Sequence, residues 1–321
     1  MKTAFMGTPK VAVPFLKRLS EITEVGLVLT QPDRPSGRGL KLCPSPVKEE
    51  AQKLGLKVLS PERPSGAAAD LAALRPELVI VVAYGRILKN DILSVPSIGT
   101  LNLHFSLLPA YRGAAPVQWS LIRGETLTGV TAFWIDAGMD TGPIFLQEKL
   151  PVLPDENAAG LMQRLCDTGI GVMEQAVRLA GEGKVQRLPQ QGEPSYAPLF
   201  KTADSILDFS KPAAQVHSKV RGMTGGLAPA PRGVLKCAAG NIGMHILKTA
   251  VTAAPENVPP GTVVRVERGA GFIVKCGEGG LLLLEVKPEG KKAIGCWDFV
   301  NGFRIKPGDT FAALKQLSPT K

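Results

Sequence analysis

The chain has 321 residues, with 38 Lys+Arg against 28 Asp+Glu for a net charge of +10, and is 44% hydrophobic. That balance lies well outside the disordered range, and no run approaches the ~18 apolar residues a membrane span requires. No apolar signal core develops before Gly7-Thr8-Pro9, so a cytoplasmic location is expected.

In chain order, β-rich runs at residues 2–6, 24–30, 78–83, 100–104 and 130–135 predict strands. Between them, residues 9–19, 47–54 and 67–74 carry helical spacing, and Pro9 suits a first turn. Strand, helix, strand at this rhythm predicts an α/β fold whose mostly parallel sheet is covered on both faces. The run 78–83 is apolar at every position, as a central strand should be. A long helix is predicted over 157–180, with an apolar stripe through Leu161, Leu165, Ile170, Met173, Ala176 and Leu179. The chain then turns polar and irregular, and residues 190–205 read as a linker between domains at 1–189 and 206–321. One helix at 212–223 precedes short β-rich segments at 233–237, 244–248, 261–267, 271–276 and 280–286. Their Gly and Pro turns predict a small barrel of the OB type.

Charge sorts between the two parts. Residues 206–321 hold 16 Lys+Arg against 8 Asp+Glu, about +8, whereas residues 1–205 hold 22 against 20. A basic barrel is a platform for a polyanion, because phosphate contacts supply affinity without reading sequence. The five cysteines (Cys43, Cys166, Cys237, Cys276, Cys296) are odd in number and form no Cys-x-x-Cys pair. Reduced core thiols are expected rather than a disulfide framework or zinc site. With three histidines and no His-Glu-x-x-His, no metal is expected. Proton chemistry near neutral pH therefore falls to very few residues.

Two of them stand out. On a strand over 100–104, Asn102 and His104 point to one face, while Leu101, Leu103 and Phe105 point to the other. An amide and an imidazole near the carboxyl end of a parallel-sheet strand stand where ligands bind. Asp136 and Asp140 follow in a Gly-punctuated loop, expected at the carboxyl edge of the sheet and able to present a carboxylate to His104. Together these groups suit attack on a carbonyl-type carbon, with amide and imidazolium stabilising an oxyanion. Ser106 is the only nearby nucleophile, so the nucleophile can belong to the substrate. Residues 30–48 form a connection far longer than the usual ~2–6 residues, made basic by Arg34, Arg38, Lys41 and Lys48 and pliable by Gly37 and Gly39. Gly7-Thr8-Pro9 lacks Gly-x-Gly-x-x-Gly, so a nicotinamide cofactor is not supported.

Four first-domain motifs carry a resemblance: Phe-Met-Gly-Thr-Pro (5–9), Thr-Gln-Pro-Asp-Arg-Pro-Ser-Gly-Arg-Gly (30–39), Asn-Leu-His-Phe-Ser-Leu-Leu-Pro-Ala-Tyr-Arg-Gly-Ala-Ala-Pro (102–116) and Asp-Ala-Gly-Met-Asp-Thr-Gly-Pro (136–143). With Asp-Phe-Ser-Lys-Pro-Ala (208–213), Val-Lys-Pro-Glu-Gly-Lys-Lys (286–292) and the 298–309 segment, the chain resembles the methionyl-tRNA formyltransferase branch of the folate-dependent formyltransferase family. Asn-x-His and Asp-Thr-Gly alone indicate the broader family; the Arg/Gly loop and basic barrel narrow it. The resemblance implies a Rossmann-like catalytic domain, an OB-like tRNA-binding domain, and transfer of formyl from 10-formyltetrahydrofolate to methionine on initiator tRNA. It implies Asn102, His104 and Asp140 as the catalytic set. Ser106, Leu107, Leu108 and Pro109 would line the folate site, and main-chain groups at Arg86, Ile87 and Leu88 would hold the pterin. Arg38, Lys41 and Arg34 would approach the tRNA, with Arg38 leading. Leu108-Pro109 is a candidate cis bond. No metal, membrane or protein partner is implied, and a monomer is expected. One departure stands at residues 224–232, where Thr-Gly-Gly-Leu-Ala-Pro-Ala-Pro-Arg replaces an Asn-Pro-Trp-Pro-Gly-Ala-type segment.

Overall fold

The apolar runs predicted as strands form the middle of a seven-stranded sheet. In chain order the elements are β1 (Lys2–Gly7), α1 (Val13–Ile22), β2 (Glu24–Leu29), an antiparallel pair β3 (Arg34–Ser36) and β4 (Lys41–Cys43), α2 (Pro46–Lys53) and β5 (Val58–Leu59). Then come α3 (Ala68–Leu74), β6 (Leu78–Val82), α4 (Asn90–Leu93), β7 (Gly99–His104), α5 (Pro116–Ile122), β8 (Leu127–Trp134), β9 (Ile144–Pro151) and α6 (Ala158–Gly181). The computed structural model describes residues 1–36, 41–226 and 228–312, with only the backbone of Ser36 and Lys41. They pack as two units: Met1–Gly113, Leu127–Pro151 and Gln163–Ala197 in the first, and Ala114–Thr126, Val152–Met162 and everything from Pro198 onward in the second.

Strand order in the first unit is β5-β2-β1-β6-β7-β8-β9. The first five run parallel, and β8 and β9 each reverse direction against the strand before. β6 is buried at all five positions, which is why its sequence shows no alternation. From β1 the chain winds one way to β5, then returns to β6 on the other side of β1. Loops after β1 and β6 therefore diverge, and that divergence opens a crevice above the carboxyl ends of the strands. The segment predicted as one helix at 9–19 is a 3-10 turn at Lys10–Ala12 followed by α1, with Pro14 in its first turn. Ser45 starts α2, its hydroxyl accepting the Lys48 N–H at 3.1 Å.

The second unit contains α5, α7 (Ala213–Met223), and the strands β10 (Arg232–Cys237), β11 (Gly240–Thr252), β12 (Val263–Glu267), β13 (Gly271–Lys275) and β14 (Gly280–Pro288). β15 (Ile294–Gly295), α8 (Cys296–Phe303) and β16 (Thr310–Phe311) complete it. The sheet is antiparallel in the order β12-β13-β14-β11-β10-β16. It curls until its two edges meet. Val263 N–H donates to the Asp309 carbonyl and Phe311 N–H to the Gly261 carbonyl, both at 2.8 Å, beside a Thr262–Thr310 bridge. Closure removes the exposed edges and makes the unit OB-like, as predicted. Long β11 turns the corner through irregular register between Ile246 and Thr249. The core packs Leu235, Ile246, Phe272, Val274, Leu283 and Phe299, all at 0–1% exposure.

α5 packs against α7 within this unit, with Gln118 and Ile122 at the contact. Gly222 makes the approach possible, because a Cβ there would stand 2.7 Å from the Gln118 carbonyl oxygen. On α7, half-buried His217 bonds through Nδ1 to Thr249 Oγ1 at 2.9 Å, and its Nε2 lies 3.9 Å from Asp155. Burial first, and then the Arg221 charge, hold the imidazole below its usual range. The folded state thus binds this proton less readily than the unfolded chain. Stability from neutral His217 is complete above the unfolded value of about 6.5 and is lost as pH falls from there through the folded value. Melting temperature followed from pH 7 to pH 5 is expected to fall less steeply in His217→Gln than in the parent, and an unchanged slope would remove His217 from that role. None of the five cysteines is in a disulfide. Burial pushes the thiols of Cys166, Cys276 and Cys296 up to about 12, so they remain protonated and unreactive.

Candidate active site

β7 ends on His104, which is 6% exposed. Opposite it on β8 stands Thr131, and opposite Asn102 stands Phe133, whose ring meets the imidazole edge-on at 6.4 Å. His104 Nε2 lies 2.8 Å from the Tyr111 carbonyl oxygen. A carbonyl can only accept, so Nε2 carries the proton and donates. That bond sets the tautomer and leaves Nδ1 as the ring atom available for chemistry. It faces Asp140 Oδ2 at 3.7 Å. The same carboxylate oxygen accepts the Gly113 N–H at 2.7 Å. Asn102 is half-buried on the same face, and among the described residues its amide makes no side-chain hydrogen bond. Imidazole, carboxylate and amide are thus brought to one face of β7.

The route by which Asp140 arrives differs from expectation. β8 is antiparallel to β7, so it ends beside the start of β7, where Ile135 N–H donates to the Thr100 carbonyl at 2.9 Å. The loop after β8 therefore starts at the level of Thr100, not at the carboxyl edge of the sheet, and returns over the face to reach His104. The two acidic residues in it separate clearly. Asp136 closes the turn on itself, accepting from Gly138 N–H at 3.0 Å and Thr141 Oγ1 at 2.7 Å. Asp140 adopts φ +55°, a left-handed conformation, and points inward. At Gly142 a Cβ would collide with the Trp134 carbonyl oxygen, so the tight return needs glycine.

The expected folate residues line the turn after β7 and the loop after β6. The Leu108-Pro109 peptide is cis. Ser106 is fully buried, and its hydroxyl donates to the Ala110 carbonyl at 2.6 Å, so it shapes the turn instead of presenting a nucleophile. Leu108 is buried, while Leu107 and Pro109 are half-buried. Leu108 N–H donates to Thr131 Oγ1 at 3.2 Å. After β6, Ala83 and Gly85 take positive φ, and the Tyr84 carbonyl is pinned by Thr8 Oγ1 (3.0 Å) and Gln31 Nε2 (2.8 Å). Arg86 and Ile87 are exposed and Leu88 is buried. Among the described residues, the main-chain amides of 86–88 make no backbone hydrogen bond, which leaves them open to a ligand.

In the basic loop, Arg34 is exposed and donates to Gln31 Oε1 at 3.0 Å. Lys48 is paired with Asp33 at 2.8 Å. The Lys41 side chain and all of Arg38 lie outside the described residues. No group of three or more metal-ligating side chains gathers among the described residues. Nor is any described helix long and apolar enough to cross a membrane.

Several partners in this site carry no sequence signature. The Tyr111 carbonyl and Gly113 amide are backbone groups, and Tyr111 takes φ +61°. Ser195, in the stretch read as a linker, accepts Tyr111 N–H on its hydroxyl at 2.9 Å and Arg112 N–H on its carbonyl at 2.8 Å. Linker-like composition hides these contacts, because Gln, Ser and Gly serve a bracing segment as well as a free one.

Residues 1–177 match the family described as formyl transferase, and residues 200–304 match formyl transferase, C-terminal domain. The chain is 44% identical to a methionyl-tRNA formyltransferase of Elusimicrobium minutum, over 96% of this chain and 99% of that one. It is 40% identical to a methionyl-tRNA formyltransferase of Geobacter sulfurreducens, covering 96% of each. Among solved structures, an N-formyltransferase from Helicobacter canadensis, in complex with folinic acid and dTDP-3-aminofucose, superposes with a TM-score of 0.66 at 19% identity. That alignment covers 88% of this chain and 98% of the other, and shows the shared fold.

Proposed function

The chain belongs to the formyl transferase family, and we propose that it transfers the formyl group of 10-formyltetrahydrofolate to the α-amino group of methionine on initiator methionyl-tRNA. The observation that carries the chemistry is the pairing of His104 Nδ1 with Asp140 at 3.7 Å on a ring whose other nitrogen is committed to a carbonyl. The reading places the reaction in the cytoplasm, with no metal and no protein partner.

The formyl carbon on N10 is an amide-like electrophile, and the neutral amine is the nucleophile. Attack forms the new C–N bond and puts negative charge on the formyl oxygen. Asn102 donates an amide hydrogen to that oxygen, and protonated His104 adds a second donor and a charge. His104 Nδ1 gives its proton to N10 as the old C–N bond breaks and, once neutral, takes the proton that leaves the former amine nitrogen, so the ring ends as it began. Asp140, held by Gly113 N–H, stabilises the imidazolium while the proton is on the ring. The pterin would sit on the open amides of Arg86, Ile87 and Leu88, against the turn built by Ser106, Leu107, Leu108 and Pro109. Arg34, Arg38 and Lys41 would meet the acceptor end of the tRNA, with the basic OB-like unit adding affinity.

Assay of formyl transfer to charged initiator tRNA, elongator methionyl-tRNA and small amines tests the reading. Initiator tRNA is expected to be strongly preferred, and equal use of a small amine would sink the substrate assignment. Arg38→Ala is expected to lower kcat/KM on initiator tRNA and narrow its preference over the elongator species. A guanidinium making a bidentate contact with a base edge is worth about 1–3 kcal/mol of discrimination. Unaltered selectivity would place recognition outside this loop.

A further inference from the structure

Gln190 lies two residues beyond Leu188, whose N–H and carbonyl both pair with Ile144 at the start of β9, at 2.9 and 2.7 Å. Its backbone is therefore anchored to the sheet edge. From there the side chain reaches both walls of the site. Nε2 donates to the Asp140 carbonyl and the Gly142 carbonyl, each at 2.8 Å. Oε1 accepts from Arg112 at 3.2 Å (Nε) and 2.6 Å (the terminal nitrogen). Two acceptors on one side and a donor-only guanidinium on the other fix the amide's orientation unambiguously. Arg112 precedes Gly113, whose N–H holds the Asp140 carboxylate, so the contacts close a ring: Gln190 to Asp140, Asp140 to Gly113, and Arg112 back to Gln190.

We propose that Gln190 is a positioning residue for formyl transfer, fixing the Asp140 loop and hence the spacing of Asp140 from His104. The proposal rests on the reading of His104 and Asp140 as reacting groups. Asp140 sits in the left-handed region, a conformation that a non-glycine residue keeps where its surroundings support it. Bonds to its own carbonyl and to that of Gly142 support it here. A neutral amide suits this position, since it supplies donors to one wall and an acceptor to the other without placing a charge beside the reacting pair. Glutamate at 190 would keep the Arg112 contact but turn an oxygen towards two carbonyls.

The test uses the full chain with 10-formyltetrahydrofolate and initiator methionyl-tRNA, comparing Gln190→Met and Gln190→Glu in the parent and in Asp140→Asn. Methionine keeps the volume and removes every hydrogen bond. A group acting only through the transition state lowers kcat and leaves KM in place. Both variants are therefore expected to lose about tenfold or more in kcat, with KM for either substrate within about twofold. Melting temperature should stay within a few degrees of the parent. In Asp140→Asn, read under single-turnover conditions with enzyme in excess, either change should cost less than about twofold more, since coupled residues are not additive. Unchanged kcat in Gln190→Met, a loss that multiplies in full with Asp140→Asn, or a collapse of melting temperature alongside kcat would each overturn the proposal. Full turnover in Asp140→Asn by itself would instead overturn the reading of the reaction centre, whatever Gln190 does.

Discussion

His104→Gln is expected to reduce turnover by about 10²- to 10⁴-fold, the range for losing a positioned acid–base group. Glutamine can still donate to the Tyr111 carbonyl, so the turn over residues 105–111 has no reason to move. What disappears is Nδ1, the one ring atom that faces Asp140 and, in the proposed mechanism, carries a proton to N10. Asp140→Asn is expected to fall in the same range by a complementary route. Its side-chain oxygen can still accept from Gly113 N–H, but the negative charge that stabilises the imidazolium is gone. Asn102→Ala removes one oxyanion donor, worth about 2.7–4 kcal/mol when such a donor is lost from a preorganised site. In all three, tRNA affinity should stay within about threefold of the parent, because single changes away from the phosphate-contacting surface leave the electrostatic term intact. Steady-state kinetics with saturating tRNA, set beside filter binding, separates the two quantities. Near-normal turnover in His104→Gln would refute the assignment.

A chain ending at Ser205 is expected to be strongly destabilised rather than to yield a free catalytic domain. Residues 116–122 form α5, which belongs to the second unit and packs against α7 there. Gly222 of α7 stands against the Gln118 carbonyl and Ile122 of α5, so removing α7 strips that face of the helix. The loss falls on a stability of only about 5–15 kcal/mol. Residues 206–321 expressed alone meet the mirror problem, since Gly222 is shaped to receive α5 and would face water. Either fragment should bind a hydrophobic dye and melt without a sharp transition. A cooperative melt of 1–205 within about 5 °C of the full chain would show that α5 holds its place without α7. For the same reason, tRNA affinity of the barrel is better measured by charge reversal on its surface in the full chain than by cutting it off.

Much of this molecule is legible in its residues. The fully apolar run at 78–83 reads as a doubly covered strand because no solvated face exists to demand alternation. Asn102 and His104 could be placed on one face from the period of two alone, and with a nearby carboxylate the amino-acid types suit attack on a carbonyl-type carbon. The short strands and Gly-rich turns of the last 116 residues predict a barrel, and its excess of positive charge makes it a platform for a polyanion. These features are local or compositional, so they survive without knowledge of what packs where.

Only tertiary structure decides the rest. Whether Asp136 or Asp140 meets His104 depends on which way the loop after β8 turns. That turn follows from the antiparallel course of β8, a pairing choice made between strands separated in sequence. The tautomer of His104 is set by a backbone carbonyl seven residues on, which carries the same chemistry whatever side chain is attached. Residues 190–197 look like a tether by composition and act as a brace, because a glutamine amide and a serine hydroxyl gain their meaning from the groups opposite them. Assignment of α5 to the second unit has no local sign either, since an apolar helix face declares that it will be buried but not against which partner. Periodicity and residue type report what a segment needs. Long-range pairing, whose entropy cost is met only when the whole core assembles, determines where that need is satisfied.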